Sequence, residues 1–587
     1  MRSFFKIFFA SLLALIVFTI LFAVVSIFII GAAASTSKPD IGSKGVLVLD
    51  LSKTYDEQGT RNPIGSFTGD ASADVPGLYD VVRLLHYAKG DSSVKGLYIK
   101  AEDNSNGYAT SEELIKAIDD FKGSGKPVIA YGETMSQKAY YVASSANKIY
   151  CHPAGGLEWN GLSVDLYFVK NLLDRLEIQP QIFYAGKFKS ATEPFRATQM
   201  TEPNKLQTNV WLGDLYSLLL QQASRTRGVD TAQLHALANT GAIQTPNDAL
   251  KYHLVDGLKY DNDIKNEWLQ ILHLNKKDKI NFITPGKYAD ATDYIKSTGS
   301  RIAVLYAQGD IVGGMGQKGQ IASDEYKNLI RKLRLDDDIK AIVFRVSSPG
   351  GSALASDVIW HEIQLARQVK PVVVSMGDYA ASGGYYISCA ADSIYADAGT
   401  ITGSIGVFTV IPNMQSFFKD KLGVTFDGVK TAPYADMMTV SRPLTVPEQR
   451  FIQNNIDTTY NTFVLRAATG RKRDTAYIDS IAQGRVWTGM RGIPVGIVDR
   501  TGTLNDAVAC AARMAKTPDY YIKEYPEPKS YFEELLSMYS DRSTKAKINA
   551  IEEQVGKHTY DMLIKLKSVQ DMFNVPQARL PFMMDVK

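Results

Sequence analysis

Read as apolar and polar positions, the chain opens with one long apolar block and then settles into shorter alternations. From Ile7 to Ala34 no residue is charged. These 28 residues, rising about 1.5 Å each, reach roughly 42 Å as a helix, more than a hydrocarbon core of about 30 Å. The block therefore predicts a transmembrane signal anchor over 7–34. Arg2 and Lys6 precede it and Lys38 follows it, which favours residues 1–6 on the cytoplasmic side and export of the rest. Ala32-Ala33-Ala34 resembles a signal-peptide cleavage site, but a secretory apolar core runs only about 7–15 residues, so an uncleaved anchor is expected.

Beyond the anchor, short β-branched runs such as Ile302-Ala-Val-Leu-Tyr306, Ala341-Ile-Val-Phe344 and Pro371-Val-Val-Val374 alternate with longer amphipathic segments such as Ala353 to Val369. That order predicts βαβ units and a mainly parallel sheet, an α/β fold. The pattern also occurs twice. Val94-Lys-Gly-Leu-Tyr-Ile-Lys100 matches Ile339-Lys-Ala-Ile-Val-Phe-Arg345 at an offset of 245, and Tyr140-Tyr141 matches Tyr385-Tyr386 at the same offset. Lys126-Pro-Val-Ile-Ala130 matches Lys370-Pro-Val-Val-Val374, Thr201-Glu-Pro203 matches Thr445-Val-Pro447, and Leu254-Val-Asp256 matches Ile497-Val-Asp499. Ordered matches at a nearly fixed spacing mark an internal duplication. The expected organisation is a first repeat domain over 45–275, a polar linker over 276–298 and a second repeat domain over 299–517. A tail over 518–587 carries a helical pattern in Phe532-Leu535-Leu536 and Ile548-Ile551-Val555.

Composition narrows the chemistry. With 65 Lys+Arg against 62 Asp+Glu among 587 residues, no large field of one sign follows, and a nucleic-acid partner is disfavoured. Cys151, Cys389 and Cys510 stand far apart, offering neither a disulfide framework nor CxxC metal spacing. The seven histidines form no HxxxH or HxH pair, and no Gly-x4-Gly-Lys-Ser/Thr loop is present. Neither a metal nor a nucleotide cofactor is expected.

The two repeats differ where chemistry is expected. Ser347-Ser-Pro-Gly-Gly-Ser352 follows an apolar run and precedes a helical one, so Gly350 and Gly351 can turn N–H groups toward an oxyanion. Their counterparts in the first repeat are Ser105 and Asn106. Further on, Gly377-Asp-Tyr-Ala-Ala-Ser-Gly-Gly-Tyr-Tyr386 places Ser382 between small residues, with the Gly383 N–H set to join the same hole. The residue at the matching offset is Gln137. Ser382 also fits a plain helix N-cap, but that role does not explain the glycine pairs.

A serine nucleophile needs a base. His361 lies between Trp360 and Glu362 in a helical run, and His558, the only histidine after Ser382, is in the tail; a Ser-His-Asp set is hard to assemble. A lysine freed of its proton by burial is the alternative. Tyr184-Ala-Gly-Lys-Phe-Lys-Ser-Ala-Thr-Glu-Pro-Phe195 offers Lys187 and Lys189, and Gly428-Val-Lys-Thr-Ala432 offers Lys430. The residues alone leave the choice open.

Ser382 in Ala-Ser-Gly-Gly-Tyr-Tyr, Lys189 in Lys-Ser-Ala-Thr-Glu-Pro-Phe, the Pro-Gly-Gly turn, Thr402-Gly-Ser-Ile-Gly406 and Gly484-Arg-Val-Trp-Thr-Gly489 together resemble the signal peptide peptidase A (protease IV) family in its long, duplicated, membrane-anchored form. The resemblance implies two tandem Clp-protease/crotonase-like superhelical domains after the anchor. It implies Ser382 as nucleophile and Lys189 as base, contributed by different repeats. It further implies a homotetramer on the outer face of the cytoplasmic membrane that degrades released signal peptides and other hydrophobic peptides. Two competing classes remain at this point. A crotonase-like acyl-CoA enzyme would use the same turn for thioesters, although export separates it from CoA; a catalytically silent oligomeric scaffold would not need Ser382 or the glycine pairs.

Overall fold

The computed structural model describes residues 2–34, 38–59, 75–527 and 575–580. Arg2–Ala34 is one helix. Its stretch Phe4–Phe22 has a mean hydropathy of 2.5 and no contact with the body that buries it, so by length and composition it is able to cross a membrane.

The first half is built on a six-stranded sheet in the spatial order Gly257–Leu258, Lys148–Leu157, Val128–Met135, Val94–Lys100, Gly45–Asp50, Asn281–Ile283. Every pairing in it is parallel. Helices Leu78–Gly90 and Tyr108–Lys122 form the crossovers. Val46, Leu47, Val48 and Leu49 are all buried, as a parallel strand covered on both faces requires. The stretch 276–298, expected as a polar linker, instead supplies the edge strand Asn281–Ile283 and the helix Pro285–Ala291. Fully buried Ile283 and Tyr288 hold it to the core.

The second half repeats the plan. Ile401–Gly403, Val372–Ala381, Ile339–Ser348, Ser300–Gln308 and Tyr520–Tyr525 run parallel in that order, and Val486–Thr488 closes the far edge antiparallel. The predicted runs at 302–306, 341–344 and 371–374 fall in these strands, except that Pro371, with no N–H to give the ladder, stands just outside. The predicted helix to Val369 ends at Arg367, before the Lys370-Pro371 pair that disfavours helical backbone. Of the tail, the helical pattern at 532–555 lies outside the described residues. Its described parts are strands rather than helices: Tyr520–Tyr525, rich in aromatic and β-branched residues, and Gln577–Arg579.

A third sheet joins the halves, in the order Gln320–Ala322, Asp310–Val312, Gly350–Ser352, Gln577–Arg579, Val407–Asn413, Gln179–Ala185. Gln179–Ala185 belongs to the first half by sequence, yet it pairs antiparallel along its whole length with Val407–Asn413. Buried charge fastens the junction. Arg345, with no exposed surface, reaches Glu57 at 2.8 Å and Glu113 at 2.7 Å. Asp378 accepts from Thr110 N at 3.0 Å and Thr110 Oγ1 at 2.8 Å, at the start of helix Tyr108–Lys122. Burial pushes Glu57 up to about 6 and Glu112 up to about 7. These ties fix the strand Ile339–Ser348, and with it the glycine turn, against the first half.

Candidate active site

Strand Val372–Ala381 ends in a sharp turn into helix Gly383–Ser388. Ser382 occupies the corner with φ 56° and ψ −113°, a conformation that costs a non-glycine residue about 1–3 kcal/mol and persists only when its surroundings hold it. Its N–H donates to Gly403 O at 2.7 Å, and its carbonyl accepts from Tyr386 N at 2.8 Å. The side chain makes no cap bond, so the hydroxyl is not spent on the helix. Ser382 is fully buried.

The amine comes from the first half. After strand Gln179–Ala185 the chain turns at Gly186, Phe188 N donates to Gln483 O at 2.7 Å, and Lys189 enters the junction. Its Nζ lies 2.9 Å from Ser382 Oγ, 3.1 Å from Ser404 Oγ and 3.4 Å from Ser404 O. Both partners belong to the same chain as the lysine. Lys189 is 2% exposed, and burial pushes its ammonium well below the usual lysine range; among the described residues no carboxylate pairs with it to restore the charge. Gly484, at φ 76°, makes this approach possible, since a Cβ there would lie 2.7 Å from Lys189 N. Gln207 Nε2 braces the loop by donating to Phe188 O and Ser190 Oγ, each at 3.1 Å.

The glycine turn stands opposite. Gly350 and Gly351 have φ 107° and 156°, and Gly350 N–H already donates to Ser348 Oγ at 3.1 Å. Gly351 stands opposite Ala578, and residues 577–579 lie between Gly350–Ser352 and Val407–Asn413. A Cβ built on Gly350 would lie 2.8 Å from Gly383 N, so the two expected oxyanion elements adjoin.

The structure brings together Ser382, Lys189, Gly350, Gly351 and Gly383. It does not bring in the other lysines. Lys187 is exposed, with its Nζ 5.9 Å from the Phe188 ring, and Lys430 pairs with Asp436 at 2.6 Å on the surface. His361 is exposed, and His558 lies outside the described residues. Ser404 has no assigned part in the sequence reading, although Thr402-Gly-Ser-Ile-Gly406 contains it. The signal available was a hydroxyl between glycines in a motif already singled out.

An α/β body that carries a buried serine on a strained strand-to-helix turn has the local geometry of a serine hydrolase. The chain belongs to peptidase family S49, which matches residues 120–275 and 364–517, once in each half. It is similar to Protease 4 of Salmonella typhi, 34% identical over 559 residues, 92% of this chain and 90% of that protein. Protease 4 of Haemophilus influenzae is 33% identical over 518 residues, 85% of this chain and 83% of that protein. Among solved structures, a ClpP1 mutant from Listeria monocytogenes matches with 14% identity and a TM-score of 0.24, covering 35% of this chain and 94% of its own. The protein is therefore a serine protease acting on peptides, with an N-terminal apolar helix.

Proposed function

We propose that the protein is a membrane-anchored endopeptidase in which Ser382 is the nucleophile and Lys189 the general base. The observation that carries this reading is the 2.9 Å approach of Lys189 Nζ to Ser382 Oγ in a site where burial disfavours the charged amine. Neutral Lys189 takes the Ser382 proton as Oγ attacks the scissile carbonyl. The Gly351 and Gly383 N–H groups hold the developing oxyanion, while Gly350, whose N–H is engaged with Ser348, shapes the turn. Protonated Lys189 then gives its proton to the leaving amine, and the acyl-enzyme is released by a water that the same lysine deprotonates. Ser404, accepting from Nζ, aims the amine.

An extended peptide would bind by adding a strand between Gly350–Ser352 and Val407–Asn413, through main-chain bonds that suit varied sequences. Family membership and the apolar anchor support signal peptides already released, and other hydrophobic peptides, as substrates. Arg2 and Lys6 before the helix, against Lys38 after it, support a cytoplasmic N-terminus and a body on the outer face of the cytoplasmic membrane. The family resemblance supports a homotetramer.

The test is hydrolysis of a hydrophobic peptide amide by the detergent-solubilised full chain, compared with Ser382→Ala, Lys189→Met, Lys187→Met and Lys430→Met. Loss in the first two with retention in the last two is expected. Activity surviving in Lys189→Met would overturn the base assignment, and a wild type with no hydrolysis would favour the scaffold or thioester readings.

A further inference from the structure

We propose that Glu112, a first-half residue that touches no reacting atom, is a positioning residue for the dyad, and that only its ionised carboxylate holds the loop on which the dyad is seated. This role rests on the dyad reading above. Helix Tyr108–Lys122 carries Glu112 into the junction, where it is 7% exposed. Its Oε1 accepts from Gly399 N at 2.6 Å and its Oε2 from Ala398 N at 3.0 Å. A Cβ on Gly399 would lie 2.8 Å from that Oε1, so the bare glycine backbone is what admits the carboxylate.

The held loop leads straight to the site. Strand Ile401–Gly403 follows it and runs parallel beside Tyr379–Ala381. Thr400 Oγ1 donates to Gly377 O at 2.9 Å, and Thr402 Oγ1 donates to Ala380 O at 2.8 Å. The strand ends at Gly403, whose carbonyl accepts the Ser382 N–H, and Ser404 beyond it accepts from Lys189 Nζ. Met490 N and Gly489 N donate to the carbonyls of Ala398 and Thr400 at 3.2 and 2.8 Å, whereas the Ala398 and Gly399 amides depend on Glu112. The first repeat closes its own loop. At the repeat offset Ala154 stands for Gly399, and its N–H donates to His152 Nδ1 at 3.1 Å. In the second half the residue matching His152 is Asp397, and Lys116 takes its Oδ1 at 2.8 Å.

This pattern makes the loop sensitive to a proton. Each carboxylate oxygen receives one amide, so a proton on either oxygen opposes a donor and costs one amide its partner. Burial pushes Glu112 up to about 7, against the pull of the two amides and Lys116, while Asp378 adds a like charge. Asp397 is also pushed up by burial, with Glu113 and Glu112 as neighbouring like charges, and Glu113 is itself paired with Arg345. Tyr141, on helix Gln137–Ala143, is pushed up by burial and stays a neutral phenol. On helix Glu202–Arg227, whose Leu215 also borders Gly399, Asp214 is held by Arg491 at 2.6 Å. As pH falls through about 7, Glu112 therefore takes up a proton, releases an amide and slackens the loop that leads to Gly403 and Ser404.

The test is kcat/KM for a hydrophobic peptide amide from about pH 5.5 to 9, in the detergent-solubilised full chain and in Glu112→Gln, a neutral copy of the protonated side chain. The variant is expected to be about tenfold slower at the top of the range, as a displaced dyad requires, and to meet wild type at the bottom, where Glu112 is itself neutral. Lys189 protonation slows both proteins alike and cancels in the ratio. Asp397 stays ionisable in the variant, so a difference that vanishes with falling pH belongs to Glu112. Hydrogen exchange at Ala398 and Gly399 in wild type, corrected for its intrinsic pH dependence, reads the same event without a variant, and protection is expected to fall about tenfold below neutral pH. A rate ratio that is the same at every pH, a variant as fast as wild type throughout, or protection that does not change with pH would overturn the proposal. A ratio that closes with pH while Lys189→Met stays active would bring down the dyad reading and keep Glu112 as the support of Ser382. A wild type with no hydrolysis at any pH would bring down both.

Discussion

The same scaffold is built twice in this chain, and the two copies treat the same corner in opposite ways. In the first half, helix Gln137–Ala143 starts from Ser136 at φ −69°, and the Ser136 hydroxyl accepts from Ala139 N at 3.2 Å. Gln137, opposite Ser382 by the repeat offset, accepts from Asn160 N and Gly161 N at 2.9 Å each. Asn106, opposite Gly351, accepts from Tyr55 N at 2.8 Å and donates to Lys53 O at 3.0 Å. Each polar group there is consumed by local structure. In the second half the serine is strained and uncapped, and glycines replace the side chains that would have filled the turn. Chemistry resides where local satisfaction is withheld and the surrounding fold bears the strain. The first half brings Lys189 across to the second half, its Nζ 2.9 Å from Ser382 Oγ.

The sharpest way to break this contrast is to remove either reacting group. Ser382→Ala is expected to lower kcat on a peptide amide by about four orders of magnitude or more, and Lys189→Met by a similar factor. Lys189→Arg should not rescue, because a guanidinium keeps its proton. The same Lys189→Met change is expected to raise Tm at pH 7. The folded lysine pKa lies below the unfolded one, so between them the unfolded chain binds the extra proton and wild-type stability rises with pH. Methionine lacks that slope, and its advantage should shrink as pH climbs toward the unfolded lysine value; calorimetry at several pH values reads it. A Tm for Lys189→Met below wild type throughout would contradict a neutral buried amine.

Smaller effects sharpen the geometry. Gly484→Ala puts a Cβ 2.7 Å from Lys189 N at a positive φ; displacing the amine should cost about 10²-fold in kcat. Ser404→Ala, which removes a partner at 3.1 Å, should cost about tenfold, with a shifted pH–rate profile as the sign of a positioning role. Gln137→Ser should change nothing measurable: the first-half turn carries Ser105 and Asn106 where the second half has Gly350 and Gly351, and fluorophosphonate should remain on Ser382 alone. A second labelled serine would show that the halves differ by less than the geometry states.

Much of this was legible in the sequence for identifiable reasons. The central strands are apolar runs bounded by turn residues, a signal that survives without knowledge of partners. Ser382 stood out because the chain carries its own control, a repeat with glutamine at the matching offset. Lys189 could not be separated from Lys187 and Lys430 on residue type alone. The choice depends on Gln179–Ala185 crossing to pair with Val407–Asn413, a contact between residues more than 220 positions apart. The strand Asn281–Ile283 was hidden for a related reason: three residues among polar neighbours acquire their meaning from the sheet edge they join. The tail strand Gln577–Arg579 carries no local β signal, and its position is set by the groove that receives it. Ser404 was visible but had no role until the amine arrived beside it.

The central claim is that a neutral lysine from one half activates a serine held by the other. Its most direct test is the rate of fluorophosphonate labelling of Ser382 as a function of pH, in wild type and in Lys189→Met. The wild-type rate is expected to climb with pH through the Lys189 ionisation, below the usual lysine value, with background labelling of Lys189→Met at every pH. A flat wild-type profile from about pH 6 to 9, or Lys189→Met labelling at the wild-type rate, would contradict it.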